Sequence, residues 1–187
     1  MTLGGYDGWS YREPNGGVVI VPFVMIRDEV FVGVVKQYRH NMGGAVLNAP
    51  RGFVDPGESP NAAAAREYHE ETGANAEAVE ELPGEAVNTN SAFVETPKRG
   101  DGVRFFKVSV QAGDVECIDG RFLLSPRMVS QSESAVSHRL AEQLERMEFI
   151  PWYDAARVAD MFTVAGVARL LASLGPIAAA SHVERGV

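Results

Sequence analysis

The chain has 187 residues, 45% of them hydrophobic, with a formal net charge of −8. This size and apolar content suit one domain with a real core. The acidic balance disfavours nonspecific binding to a nucleic acid backbone, but leaves room for a small anionic substrate whose charge a bound metal would offset. The lone Cys117 can form no internal disulfide and has no nearby ligand partners, which fits a reducing, cytoplasmic setting. Residues 1–14 lack the basic and apolar regions of a signal peptide, and no apolar run is long enough to span a membrane. No internal repeat is present.

In chain order, 18–26 and 30–37 are β-rich runs separated by Arg27-Asp28-Glu29, and they read as a hairpin. Residues 45–49 form a short strand leading to a turn with Asp55-Pro56-Gly57 chemistry. A helix is predicted over 60–72. Ser59 suits the N-cap and Pro60 the first helical position, Ala62 to Ala65 are strong helix formers, and Gly73 suits the left-handed closing residue. Beyond it, 76–82 reads as a strand ended by Pro83-Gly84, and 103–110 as a strand with Phe105 and Phe106 on opposite faces. Residues 113–120 read as a loop or edge segment, and 149–152 as a last strand. Val164, Val167, Leu170, Leu171 and Leu174 recur at helical spacing, so 161–174 is the C-terminal helix, closed by Gly175-Pro176. Alternating strands and helices imply a layered, mixed α/β domain over 1–187, with a core at about 18–174 and weakly held tails.

The chemistry concentrates on the first helix. Glu67, Glu70 and Glu71 fall within an arc of about 100°. Like charges so placed repel unless a cation sits among them. Three helical glutamates more often form a solvated face, but that reading leaves Gly52, Glu58, the cap and the closing glycine without a reason for their spacing. An oxygen-rich cluster suits Mg²⁺ or Mn²⁺ rather than zinc. Mg²⁺ held by few carboxylates completes its shell with water and substrate phosphate.

Gly52 to Ala74 resembles the Nudix box: glycine, five residues, Glu58, seven residues, Arg66-Glu67, an aliphatic position, any residue, Glu70-Glu71, any residue, Gly73 and an aliphatic position. Tyr68 and Ala74 occupy the two aliphatic positions. The resemblance implies an α/β/α sandwich with a mixed sheet, and a hydrolase that cleaves a nucleoside diphosphate linked to another group. Gln37-Tyr38-Arg39 and Asn48-Ala49-Pro50-Arg51-Gly52 are similar to the segments before the box in ADP-ribose and ADP-sugar pyrophosphatases. Here Asn48 stands for a glutamate, Arg51 for a small residue, and Asn90 for a proline of that subgroup. The expected reaction takes ADP-ribose or a related nucleoside diphosphate sugar to a nucleoside monophosphate and a sugar phosphate. The alternatives are a house-cleaning nucleoside triphosphate pyrophosphohydrolase and a non-catalytic nucleotide-binding regulator. The intact box argues against the second.

The resemblance also implies roles. Glu67, Glu70 and Glu71 are expected as ligands of Mg²⁺ (or Mn²⁺), together with the backbone carbonyl of Arg51. Glu58 either ligates or holds Arg66, with the structural role favoured, and Gly52 and Gly73 serve backbone geometry. The residue handling the water lies outside the box, on a loop before the last strand. Glu133 is the only carboxylate of 125–136 and the candidate there. Glu70 competes with it, and a solvated loop glutamate is an equal reading of Glu133. Arg39 and Arg104 are candidate phosphate contacts, Arg39 being equally open to a structural ion pair and Arg104 standing at the start of a strand near the expected cleft. The partner is a small nucleotide, with no nucleic acid and no membrane. A homodimer is expected, from the subgroup and from the apolar hairpin 18–35, which has few charges to blunt an exposed edge.

Overall fold

Arg27 and Asp28 take φ of 52° and 64°, and these two left-handed residues fold β1 (Gly17–Ile26) onto β2 (Glu29–Arg39). That pair of conformations matches the twist of a two-residue hairpin. The computed structural model describes residues 16–39, 43–87, 102–130 and 144–175. The remaining strands are β3 (Gly44–Asn48), β4 (Arg51–Phe53), β5 (Glu80–Glu81), β6 (Val103–Ser109), β7 (Val115–Ile118), β8 (Arg121–Leu124) and β9 (Glu148–Pro151). They join one mixed sheet in the order β5-β6-β1-β2-β9-β8-β7, with β3 on β2 and β4 on β1. Among the described residues only the β1–β6 pairing is parallel.

β1 is apolar along almost its whole length because both of its faces are covered. Val18, Ile20 and Val24 pack with Ala63, Ala64 and Tyr68 of α1 (Pro60–Thr72). Val19, Val21 and Phe23 face Val167 and Leu170 of the C-terminal helix (Met161–Leu174). Phe105 and Phe106 divide between these two clusters as their alternation predicts. Pro22 is tolerated inside this central strand for a topological reason. β4 covers Gly17 to Val19 and β2 covers Phe23 to Ile26, so the missing N–H falls where β1 changes neighbour.

Two helices follow β9: α2 (Trp152–Ala155) and α3, the C-terminal helix just given. Helix α1 has the predicted bounds. The Ser59 hydroxyl accepts the Ala62 N–H, and Gly73 closes the helix at φ 76°. Two expectations need correction. The strand expected over 76–82 shrinks to Glu80–Glu81. The segment 113–120, expected as a loop or edge segment, lies at the edge of the sheet. It holds a 3₁₀ turn and β7, which pairs with β8 through Asp119 and Gly120 at φ 51° and 79°. The apolar hairpin is no exposed edge, since β1 lies between β6 and β2, and β2 between β1 and β9. That removes the physical argument for a dimer through the hairpin.

Candidate functional site

The site forms where α1 passes over β4. The register pairs Val18 with Gly52 and Val19 with Arg51, while Ile20 donates to Pro50 O and Val54 to Gly16 O. Arg51 therefore occupies a non-hydrogen-bonded position of the antiparallel ladder. Its N–H and its carbonyl both point away from β1, toward α1. The N–H donates to Glu71 Oε2 at 3.2 Å. Gly52 leaves room for the helix. A Cβ there would lie 2.0–2.2 Å from the Glu67 carboxylate atoms, an overlap that would force the carboxylate out of its place. Glu67 and Glu71 are buried, at 9% and 5% exposure, while Glu70 is half-buried. Buried carboxylates demand partners.

Arg66 supplies part of that demand. Its Nε and Nη2 grip Glu58 at 3.1 and 3.0 Å, and Nη2 also donates to Phe53 O at 2.8 Å. Nη1 donates to Glu67 at 2.7 Å and to Glu70 at 3.1 Å. The guanidinium bond holds the Glu58 carboxyl below the usual carboxylate range, and these partners raise the pKa of Arg66 further above its already high value. Glu58 is thus tied to Arg66. Tyr68, at the motif's aliphatic position, fills the core at 2% exposure. Burial pushes its phenol up to about 12.

Among the described residues no three His, Cys, Asp or Glu side chains converge as a ready metal cluster. Arg66 holds Glu67 and Glu70 instead. The donor set nonetheless fits a hard divalent cation. The buried carboxylates and the Arg51 carbonyl, which faces away from β1, are oxygen donors on one side of β4, and Gly52 leaves Glu67 room there.

The other candidates are spread around this centre. Arg104, the second residue of β6, pairs with Glu81 at 2.9 Å. It borders a cavity of about 270 Å³ that is also lined by Val54, Asp55, Glu58 and Pro60. This cavity adjoins the loop before α1 and not Glu67 or Glu71. Arg39 ends β2 opposite Gly44, but its side chain lies outside the described residues. Glu133 and Asn90 lie outside them as well, and of the loop expected over 125–136 only 125–130 are described, with a 3₁₀ turn at Pro126–Met128 and a bridge from Val129 to Ala74. Sequence reasoning missed Asp160, which caps α3 and pairs with the Arg51 guanidinium. Its signal was an aspartate directly before a helical apolar pattern.

The family described as NUDIX domain matches residues 16–152. The chain belongs to the Nudix family. Among its relatives, an ADP-sugar pyrophosphatase of Mus musculus is 36% identical over 91 residues, 46% of this chain and 42% of that protein. An ADP-ribose pyrophosphatase of Mycobacterium tuberculosis is 37% identical over 75 residues, 35% of this chain and 36% of the relative. The chain thus spans less than half the length of these curated relatives. A putative Nudix hydrolase from Listeria monocytogenes superposes with a TM-score of 0.54 at 14% identity, over 85% of this chain and 93% of that one. A protein titled ADP compounds hydrolase gives 0.51 at 17%, over 87% and 76%. These likenesses establish the Nudix fold, a mixed sheet with a few helices packed on it. No helix among the described residues is long and apolar enough to cross a membrane.

Proposed function

We propose that this chain is a Mg²⁺- or Mn²⁺-dependent hydrolase that splits the diphosphate of ADP-ribose or a related nucleoside diphosphate sugar into a nucleoside monophosphate and a sugar phosphate. One observation carries the reading: Glu67 and Glu71 are buried on one face of α1, against a glycine that leaves them space and an Arg51 peptide turned toward them. Buried acid of this kind is costly without a cation.

Glu67, Glu70, Glu71 and the Arg51 carbonyl would hold the ion. Bound there, it would supply an activated water and neutralise the diphosphate oxygens. The chain's own residues do the rest. Arg66 keeps the carboxylates oriented while staying anchored on Glu58 and Phe53 O, so it need not leave the site when Glu67 and Glu70 turn inward. Glu133 is proposed to position or deprotonate the water, with Glu70 as the competing base. Arg39 and Arg104 are proposed to meet the diphosphate. Arg104 would exchange Glu81 for it across a half-exposed ion pair, which is weak enough to break. The names of the two relatives favour a diphosphate sugar over a nucleoside triphosphate. The exposed Cys117 fits a cytoplasmic enzyme. The homodimer rests on the resemblance alone.

A panel of ADP-ribose, other nucleoside diphosphate sugars and nucleoside triphosphates, assayed with Mg²⁺ and with Mn²⁺ and with the products identified, tests the reading. Monophosphate and sugar phosphate from ADP-ribose is the expected result. Much faster cleavage of triphosphates, releasing pyrophosphate, would overturn the substrate class. No metal-dependent cleavage of any of them would overturn the reading as a whole.

A further inference from the structure

Arg51 is tied to two helices at once. Its N–H donates to Glu71 of α1, and its guanidinium pairs with Asp160, the N-cap of α3, while lying 5.3 Å from the centre of the Phe162 ring. The two side chains of the pair are only 23% and 11% exposed, so it is shielded from solvent. Asp160 divides its oxygens. Oδ1 takes Arg51, and Oδ2 accepts the Thr163 N–H at 2.9 Å and the Thr163 hydroxyl at 2.6 Å. The same hydroxyl oxygen accepts the Ala49 N–H at 2.7 Å, and the Pro50 carbonyl accepts from Ile20. Capping α3 uses Oδ2 alone, so the cap does not explain the arginine.

β4 has three residues, and the ladder gives Arg51 no bond to β1. A peptide in that position needs another anchor if it is to present its carbonyl to a fixed point. The geometry points to the Arg51 side chain as a positioning device. With Asp160 and Thr163 it forms a clasp that sets where the Arg51 peptide stands relative to Glu71. The first turn of α3 thereby tunes the affinity of the α1 carboxylates for a divalent cation. The inference rests on the metal-site reading and extends it to residues that touch neither metal nor substrate.

The test compares wild type, Asp160→Asn, Arg51→Ala and the double variant. Asparagine caps a helix as well as aspartate does, so Asp160→Asn removes the charge from Arg51 without uncapping α3. Mn²⁺ affinity is measured by calorimetry on the nucleotide-free protein, beside the thermal midpoint and the Mg²⁺ concentration for half-maximal rate. Asp160→Asn is expected to weaken Mn²⁺ binding about tenfold, the low end for loss of a group that supports a metal ligand. The half-saturating Mg²⁺ concentration should rise in parallel, with far less change in kcat at saturating metal. The double variant should lose no more than Arg51→Ala alone, because both substitutions cut one contact. Wild-type Mn²⁺ affinity in the single variants overturns the clasp whatever happens to their thermal midpoints, and so do fully additive losses. If Arg51→Ala fails to fold, Arg51→Lys takes its place in the same cycle. Absence of Mn²⁺ binding to the wild type overturns the metal reading and the clasp with it, whereas binding that the variants share overturns the clasp alone.

Discussion

The two long helices pack on opposite faces of one sheet and hold their places by different means. α1 buries Ala63, Ala64, Tyr68 and Thr72 along with two carboxylates, Glu67 and Glu71. α3 buries Val167 and Leu170 after the cap-bonded Thr163 and the close-packed Gly166, and no charged residue is among its buried side chains. Apolar area anchors α3. α1 has less of it and relies on a serine cap, a left-handed glycine and the Arg66 network. Apart from the first turn of α3, which Arg51 ties to the site, the contrast separates stability from chemistry. The helix that carries acid is held by directional contacts, each of which can be removed singly, while the helix that carries none supplies hydrophobic mass.

Substitutions can break or sharpen that separation. The largest expected effect is at Glu71. Glu71→Gln keeps the volume and helix propensity, removes one charge from the proposed ligand set, and should lower metal-dependent turnover by several orders of magnitude. Its thermal midpoint without metal should hold or rise, since carboxylate repulsion on α1 falls. Near-normal turnover would end the assignment of the carboxylates.

Gly52→Ala is the next test. Position 52 has no left-handed backbone to lose, and the three atoms nearest the added Cβ are the movable end of Glu67. The fold should survive, with a stability change within about 1 kcal/mol. Turnover and metal affinity should both fall, by about tenfold or more, because Glu67 must vacate its cradle. Calorimetry of Mn²⁺ binding beside a melting curve distinguishes this from a general packing defect, which would lower the midpoint and leave affinity in place.

Leu170→Ala inverts the pattern. Leu170 is fully buried between α3 and the sheet, so its truncation should cost about 2–5 kcal/mol of stability. Turnover below the unfolding transition should stay near wild type. A large activity loss without destabilisation would show that α3's apolar face belongs to the site after all.

The smallest effect is at Glu58. Its folded pKa lies below its unfolded value, because Arg66 hydrogen-bonds the charged form. The stability it contributes is therefore present above the unfolded pKa and is lost as pH falls through the folded one. Glu58→Gln should remove that portion of the acid dependence, flattening the stability curve below the ordinary carboxylate range while leaving it parallel near neutrality. Urea midpoints measured across that acid range would reveal it, and an unchanged acid limb would contradict the role given to the pair.

The site helix was legible because its signals are local. Ser59, Pro60 and Gly73 act within one turn of the ends they define, and Glu58 and Arg66 are only eight residues apart. The β7–β8 hairpin was missed although Asp119-Gly120 is a strong turn pair, because the two strands have only four residues each. The interior position of β1 and β2 was not legible as such. Continuous apolarity says that both faces are covered, but the chain alone does not name the neighbour on each side. The tie between Arg51 and Asp160 lay furthest out of reach, since it joins residues 109 positions apart and depends on β4 and α3 meeting across the sheet edge.

The central claim is that α1 carries a divalent-cation site built from Glu67 and Glu71. Electron paramagnetic resonance of Mn²⁺ titrated into the nucleotide-free wild type and into a Glu67→Gln, Glu71→Gln double variant tests it most directly. Saturable loss of the free Mn²⁺ signal with the wild type, and none with the folded variant over the same range, is the expected result. Equal binding to both proteins, or none to the wild type, would contradict it.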